Sequence, residues 1–432
     1  MELTAFIILL LMLFLFLFSG TWVGISLLLI GIFGVTLFVP GLPTGSIMSS
    51  ILWTQVNSSS MVCMALFILM GEFLVRSDVA SGLFKGLAPW VQRLPGGLLH
   101  VNTLASAFFA AVSGSVAATT VTVGKITLPE LRERGYHDDL SIGSLACCGT
   151  LGILIPPSMP MLIYGFISGT SVGKLFIAGM IPGLVLAILF SGYVCIRCLI
   201  TPSMVPNRSE SYTMKDRLTG LPQILPVVIL ILLVLGSIYT GWATPTEAAS
   251  IGVVGSFLFA AINKKVNKKM IKESLLNTVE TIGMIMLIVM AAAFFSTAIG
   301  YVGIPRYLAE LVVSHKVSPY LLMLLVSLFY IVLGCLVDGT SMIVMSVPLI
   351  LPMVSAAGFD PVWFGIYLIV MVQIAQVTPP VGFNLFVING MTGDGMMKIA
   401  RSALPFFILM LLYVIFITIF PETVLWFPNT MM

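Results

Sequence analysis

The chain has 432 residues, of which 59% are hydrophobic and 9% charged, with a net charge of +3. Soluble domains carry roughly a quarter charged residues, and an apolar run of about 20 residues crosses a bilayer as a helix. The composition therefore excludes a soluble globular protein and a nucleic-acid binder and specifies an integral membrane protein; missing strand-type alternation argues against an outer-membrane barrel.

In chain order, the first apolar run, 3–18, lacks a basic start and a small-residue cleavage pattern, so it reads as a retained helix. A second, 22–38, follows the Ser19-Gly20 break. Residues 40–50 read as a Gly/Pro/Ser loop and 51–75 as a helix carrying Glu72. Residues 76–98, with Arg76, Lys85 and Arg93, read as an amphipathic interfacial segment. Two short apolar arms, 101–112 and 116–131, then flank the polar tip Ser113-Gly114-Ser115. Each arm is short for a full crossing and suits a re-entrant hairpin (101–131) that turns at mid-membrane. A helix broken around 155–160 occupies 141–167, and 175–200 is a plain helix.

The polar stretch 199–223 reads as a linker between two halves, 1–198 and 224–432. In the second half, 224–239, 247–262 and 274–300 read as helices, with five lysines between 263 and 272. A second hairpin (320–353) has arms at 320–334 and 342–353 and a tip at 335–341. A second broken helix occupies 362–390, and 403–420 closes the chain.

The halves share more than an outline. Leu128-Pro129 recurs as Leu351-Pro352, 223 residues later (351 − 128), and at the same offset Gly135-Tyr136 faces Gly358-Phe359 and Pro156-Pro157 faces Pro379-Pro380. Three matches in one ungapped register indicate an internal duplication. If both hairpins return to the side they enter from, the loops at 76–98, 132–138, 199–223, 263–272 and 391–402 face one side. With Arg197 at a helix end, that side carries 16 of the 20 Lys/Arg; Lys174, Arg306 and Lys316 lie opposite and Lys125 within an arm. Lys/Arg excess marks the cytoplasmic face, so the two hairpins enter from opposite sides. This is the inverted-repeat design of secondary transporters.

Irregular backbone at membrane depth is tolerated where protein buries it or water wets it. The two tips and the two Pro-Pro breaks are four such places. Their free carbonyls and hydroxyls suit a hard cation, and their helix N-termini suit an anionic group. The first tip offers Ser113, Ser115, Thr119 and Thr120, with Thr150 and Gly152 approaching Pro156. The second offers Gly334, Asp338, Thr340 and Ser341, with Thr378 before Pro379. The plainer alternative is that such hydroxyls bond the preceding turn or a neighbouring helix. Asp338, ionisable within a membrane segment, is a candidate by default, and also stands where it would cap the second arm. Lys125 either attracts an anion or snorkels to pair with Glu130 or Glu133. Asn384 offers an amide to the second break. Glu72, Glu247 and Glu280 lie near helix ends, where solvated or packing roles suffice. Cys195 and Cys198 form a lone C-x-x-C, a weak metal or redox signal that no second pair or His cluster supports.

At these residues the chain resembles the large membrane subunit of tripartite ATP-independent periplasmic (TRAP) transporters. The stretches that carry the likeness are S-G-S-V-A, I-T-L-P-E-L-R-E-R-G-Y, I-P-P-S-M-P-M-L-I-Y-G, D-G-T-S with V-P-L-I-L-P, and V-T-P-P-V-G-F-N-L-F. The resemblance covers nearly the whole chain. It implies an all-α polytopic membrane protein of the ion transporter superfamily type, an inverted repeat with two re-entrant helical hairpins and two broken helices working as an elevator. It also implies a multi-pass protein of the bacterial inner membrane that is not an enzyme and has no cofactor other than Na⁺ as coupling ion. A sodium gradient would drive uptake of a small organic anion. The implied partners are a small membrane subunit, here expected as a separate chain, and a periplasmic substrate-binding protein.

The residues and the resemblance together nominate Ser113, Ser115, Thr150, Gly152, Gly334, Asp338, Gly339, Thr340, Ala375 and Thr378 for sodium. They nominate Thr119, Lys125, Pro156, Ser341 and Asn384 for substrate, and no transition metal. Ala375 stands where many relatives carry glycine. A stand-alone sodium/dicarboxylate symporter is the alternative. A respiratory subunit is disfavoured because His100, His137 and His315 are not paired at helical spacing, and a channel fits opposed hairpins less well. The resemblance does not choose among dicarboxylates, sialic acid and sugar acids.

Overall fold

The computed structural model describes residues 2–77, 79–206, 212–380 and 382–431, and among these every regular element is helical. The chain opens with α1 (Glu2–Phe18), α2 (Val23–Phe38), α3 (Thr44–Val56), α4 (Ser59–Val75) and α5 (Val79–Val91). The stretch expected as a loop at 40–50 is helical from Thr44, and the helix expected from 51 onward is two helices bent by 47° at Asn57-Ser58. Small polar residues at 44–50 do not prevent a helix whose neighbours pack against it; α3 lies on the later helix α13 (Lys268–Val302).

α6 (Leu99–Ser113) and α7 (Val116–Glu133) pack together as the first hairpin, followed by α8 (Asp138–Cys148), a 3-10 turn at Gly149–Ile153, α9 (Met159–Ser168) and α10 (Val172–Ile200). Then come α11 (Met214–Tyr239), α12 (Pro245–Ile262), α13 and α14 (Ile304–Ser314). Part of the expected linker is therefore helical, although 207–211 lies outside the described residues. α11 starts at Met214 because Thr213 and Asp216 cap each other: the Thr213 N–H and hydroxyl both donate to Asp216 Oδ2 at 2.7 Å. Thr244 and Glu247 make the same box at the start of α12, giving Glu247 a capping role. The second hairpin is α15 (Pro319–Gly334) and α16 (Gly339–Ala356), then α17 (Pro361–Gln376), α18 (Phe383–Thr392), α19 (Met396–Ile419) and α20 (Glu422–Met431).

Among the described residues, six helices are long and apolar enough to cross a membrane, or seven if α3 and α4 count as one bent span. α7 and α16 have 18 residues each, about 27 Å at the helical rise. That approaches the ~30 Å hydrocarbon core, so length alone does not make these arms re-entrant.

The interior is built around α8 and α17. Leu140 through Cys148 are all buried, and in α17 every residue from Trp363 to Ala375 is buried. A helix apolar on all sides belongs in the interior of a large protein. Two of the polar groups this brings inside are paired: Trp363 Nε1 donates to the Ile417 carbonyl at 2.9 Å, and Tyr367 Oη meets Ser327 Oγ at 2.7 Å. By contrast α11, α13 and α19 keep apolar faces outward, with Leu232, Val279 and Leu412 exposed, as lipid-facing helices do. α2, α3 and α4 pack on α13, and α12 on α4 and α11; the hairpins, α8, α9, α17 and α18 form the other body of packing.

Candidate functional site

Both hairpins turn with residues suited to the turn. Gly114 takes φ +60°, which ends α6 at no steric cost, and Ser115 caps α7 by accepting from the Ala118 N–H at 3.4 Å. Ser113 Oγ lies 2.9 Å from Thr119 Oγ1, which donates to the Ser115 carbonyl at 2.7 Å. The break after α8 folds onto this tip. A Cβ at Gly152 would sit 2.8 Å from Thr119 Oγ1 and 2.9 Å from the Ser115 carbonyl, and one at Gly114 2.9 Å from the Pro157 carbonyl. The Pro156-Pro157 bond is cis, and Pro156 is buried. Ser113, Ser115, Thr119, Gly152 and the Pro-Pro break thus form one cluster.

A second group lies beside it. Gly149 packs so tightly on Thr120 that a Cβ would overlap Thr120 Oγ1, and would come 3.3 Å from Asn384 Nδ2. Asn384 does not face the second break, as its place in the sequence predicts. Its Nδ2 instead donates to the Ala146 carbonyl in α8 at 2.6 Å, because α18 packs against α7 and α8. Thr150 Oγ1 turns back to the Cys147 carbonyl at 2.7 Å, the ordinary helical bond, while its own carbonyl accepts from Gln373 Nε2 of α17 at 3.0 Å. Thr120 Oγ1, Asn384 Oδ1 and Gln373 Oε1 are buried without a hydrogen-bond partner.

At the second tip Asp338 caps α16. Its Oδ2 accepts from the Thr340 and Ser341 N–H groups at 2.9 and 3.2 Å, and Ser341 Oγ donates to its Oδ1. This cap draws Gly339, Thr340 and Ser341 into the helix, so the turn is shorter than the expected tip at 335–341. Cys335 Sγ reaches the Pro379 carbonyl at 3.4 Å, so this tip too meets a cis Pro-Pro pair, Pro379-Pro380. Gly334 packs on Ala375, where a Cβ would overlap the Ala375 methyl, and Gly339 lies against Val372 and Gln376. Thr378 Oγ1 donates to the Ile374 carbonyl at 2.7 Å. Gln376 Oε1 is a further buried oxygen without a partner.

Lys125 stays apart. It is exposed on α7, and Glu130 pairs with Arg134 at 3.2 Å instead. Gln373, Gln376 and Ser158 are site neighbours that the sequence reading does not nominate. Ser158 caps α9, accepting from the Met161 N–H at 3.4 Å, and its hydroxyl donates to the Ile153 carbonyl at 2.5 Å. Gln373 has a legible signal: it breaks an apolar run and lies 223 residues from Thr150, the interval of the Pro-Pro pairs.

At the loop end of α7 and α8, Arg132 holds Asp138 at 2.7 Å and Asp394 at 2.8 Å, and Lys398 holds the same two at 2.8 and 2.9 Å. Desolvation pushes the Asp138 carboxyl up, but hydrogen bonds and charge from Arg132 and Lys398 outweigh it and leave Asp138 below its ordinary value. Hydrogen bonding from Lys398 lowers Asp394 as well, against a smaller effect of desolvation. This knot ties the start of the first broken helix to the loop between α18 and α19.

The chain matches the family model of the tripartite ATP-independent periplasmic transporter, DctM component, over residues 10–423. It is 33% identical to the C4-dicarboxylate TRAP transporter large permease protein DctM of Pseudomonas aeruginosa, covering 86% of each chain. It is 30% identical to the sialic acid TRAP transporter large permease protein SiaM of Vibrio cholerae, covering 87% of each. It is 28% identical to the isethionate TRAP transporter permease protein DctMQ of Oleidesulfovibrio alaskensis, over 88% of this chain and 60% of that protein. Its fold is similar to that of MtrF of Neisseria gonorrhoeae, with a TM-score of 0.61 over 86% of this chain and 82% of that one, at 11% identity. The chain belongs to the DctM family of TRAP transporters.

Proposed function

We propose that this chain, as a DctM-family permease, is the large membrane subunit of a sodium-coupled importer of a small organic anion. The family match makes it a transporter component. The observation that carries the finer reading is that each hairpin tip meets a Pro-Pro break, the first of them buried, with acceptor oxygens left over nearby. Thr120 Oγ1 and Asn384 Oδ1 border Gly149, and Gln376 Oε1 lies near the second tip. Sodium prefers such oxygens, and N–H groups at helix starts suit a carboxylate. Because α7 and α16 begin 223 residues apart, as do α8 and α17, we read the two halves as an inverted repeat that places one cation site at each tip.

In this reading Ser113, Ser115, Thr119 and the Gly149–Gly152 backbone serve the first site, and Gly334, Ala375, Thr378 and the tip backbone the second. Asp338 acts by holding the start of α16, with Gly339, Thr340 and Ser341 in its first turn. Pro156, Ser341 and Asn384 border the substrate. The hairpins, broken helices and α18 move as the elevator, and α2, α4, α12 and α13 hold it in the bacterial inner membrane. A periplasmic binding protein delivers the anion. A small membrane subunit completes the scaffold. C4-dicarboxylates, sialic acid and isethionate, named for the relatives, bound the substrate class to small acids.

The test is uptake into proteoliposomes holding this chain and its small subunit, with and without a sodium gradient and binding protein. Uptake that requires both is expected. Uptake with sodium but no binding protein would establish the stand-alone symporter instead, and uptake indifferent to sodium would remove the cation sites.

A further inference from the structure

Away from the tips, a cavity of about 540 Å³ opens where the C-terminal end of α10 meets the N-terminal ends of α8 and α19. Its walls include Tyr193, Arg197, Lys398, Arg401 and Ser402, with Asp139 the one carboxylate. Lys398 is neutralised by Asp138 and Asp394. Arg197 and Arg401 are not: among the described residues neither forms an ion pair. Two guanidiniums facing one cavity, neither of them paired with its single carboxylate, are an uncommon arrangement beside a membrane unless an anion joins them.

The surroundings say what kind of anion. Below the cavity, α10 and α19 pack together and turn apolar side chains outward. Ile196 and Ile188 on α10 are 59% and 68% exposed, and Leu404 and Ile408 on α19 are 52% and 47% exposed. From the cavity these rows run toward lower numbers on α10 and higher numbers on α19. Basic cavity above, apolar rows below: this is the profile of an amphipathic ligand, not of a free ion. Basic pockets between spanning helices on the cytoplasmic side take lipid headgroups, and 132–138 and 391–402 belong to the Lys/Arg-rich side of the chain.

We propose that this cavity binds an anionic phospholipid, its phosphate held by Arg197 and Arg401 and its acyl chains lying along Ile196, Ile188, Leu404 and Ile408. The inference needs only a membrane location and stands apart from the sodium and substrate sites. Because Lys398 lines the cavity and also ties Asp138 to Asp394, the bound lipid braces the same end of the broken helix.

Native mass spectrometry of the detergent-purified chain, titrated with phosphatidylglycerol or phosphatidylcholine, tests it. At least tenfold tighter retention of phosphatidylglycerol is expected, lost in Arg197→Gln/Arg401→Gln and partly restored in Arg197→Lys/Arg401→Lys. Arg401 is exposed and unpaired, so Arg401→Gln alone folds and should already weaken retention several-fold. Equal retention of both lipids, or unchanged retention in Arg401→Gln and the double variant, would overturn the proposal. Displacement of phosphatidylglycerol by millimolar inorganic phosphate would overturn the lipid assignment and leave a free-phosphate site.

Discussion

Gln373 reaches from α17 to donate its Nε2 to the main-chain carbonyl of Thr150 at 3.0 Å, and the two residues stand 223 positions apart. That is the interval that separates the two Pro-Pro pairs, and both residues are fully buried. The carbonyl belongs to the 3-10 turn that ends α8, where the Leu154 N–H, its α-helical donor, goes to the Leu151 carbonyl instead. Gln373 supplies a donor from a neighbouring helix.

Gln373→Leu keeps the volume and removes the donor. Polar contacts between membrane helices are worth about 0.6 kcal/mol on average and up to roughly 1.7. The complete burial of Gln373 puts this one toward the upper end, so a loss of about 1 to 2 kcal/mol is expected. Thermal unfolding in nanodiscs reads it, and an unchanged midpoint would mean that water or a rearranged turn satisfies the carbonyl.

Gly152→Ala should abolish sodium-dependent uptake without preventing assembly. The new methyl meets Thr119 Oγ1 at 2.8 Å and the Ser115 carbonyl at 2.9 Å, so it pushes the break off the hairpin tip. Uptake against sodium concentration in proteoliposomes is the measurement. A wild-type curve would show that the packing of tip on break is not part of cation binding. Ser113→Ala and Thr378→Ala should weaken sodium activation in the same assay. Thr378 Oγ1 already donates to the Ile374 carbonyl, which leaves its lone pairs free to accept a cation.

Asp338 separates capping from charge. Its carboxylate accepts from Thr340 and Ser341 N–H groups, a job an asparagine oxygen also does. Asp338→Asn should keep sodium activation within about twofold, and Asp338→Ala should cost about 1 kcal/mol of stability. A collapse of sodium activation in the asparagine variant would make Asp338 a charged ligand.

Much of this architecture is legible in the sequence because turns and breaks are written in Gly, Ser and Pro. Gly114, Ser115 and the two Pro-Pro pairs mark the tips and interruptions directly. The start of α11 is harder to see because Thr213 and Asp216 read as polar linker, although a Thr followed three residues later by an acid is also a capping box. The shortening of the second tip has the same origin, since Asp338 draws Gly339, Thr340 and Ser341 into α16. Asn384 differs for another reason. Its position in the chain points to the second break, but tertiary packing of α18 against α7 and α8 carries its amide to Ala146. No local pattern encodes a contact between segments so distant in sequence.

The Arg132–Asp138–Lys398–Asp394 knot makes a prediction about pH. Both carboxylates lie below their ordinary values. Their contribution is therefore complete above about pH 4, the ordinary aspartate range, and is lost as pH falls through the lower folded values. A lysine ammonium keeps its charge to about pH 10, so the basic partners do not titrate in this window. The stability difference between wild type and Lys398→Ala should therefore stay flat from about pH 5 to 9 and shrink below about 4. These groups are partly exposed, so the plateau is small, about 0.5 to 1 kcal/mol, and smaller in high salt. A step near pH 6.5 would instead implicate a histidine.

Gly334 and Ala375 offer a sharper test, because each constrains the other. A methyl added at Gly334 would overlap the Ala375 methyl and lie 3.0 Å from the Ala375 Cα. α15 and α17 therefore approach as closely as one alanine and one glycine allow. Gly334→Ala should force the end of α15 away from α17 and cost about 1 to 3 kcal/mol, the range for overpacking. Ala375→Gly alone should cost about 1 kcal/mol of helix propensity plus the small loss of one buried methyl. The double variant exchanges the two residues and should recover most of the packing loss, a coupling of about 1 kcal/mol or more between groups in contact. The same cycle read in sodium-dependent uptake asks whether the glycine matters for space or for its carbonyl. Recovery of transport in the swapped pair means that close approach is the requirement. Stability restored without transport means that the residue at 375 sets the geometry of a backbone ligand.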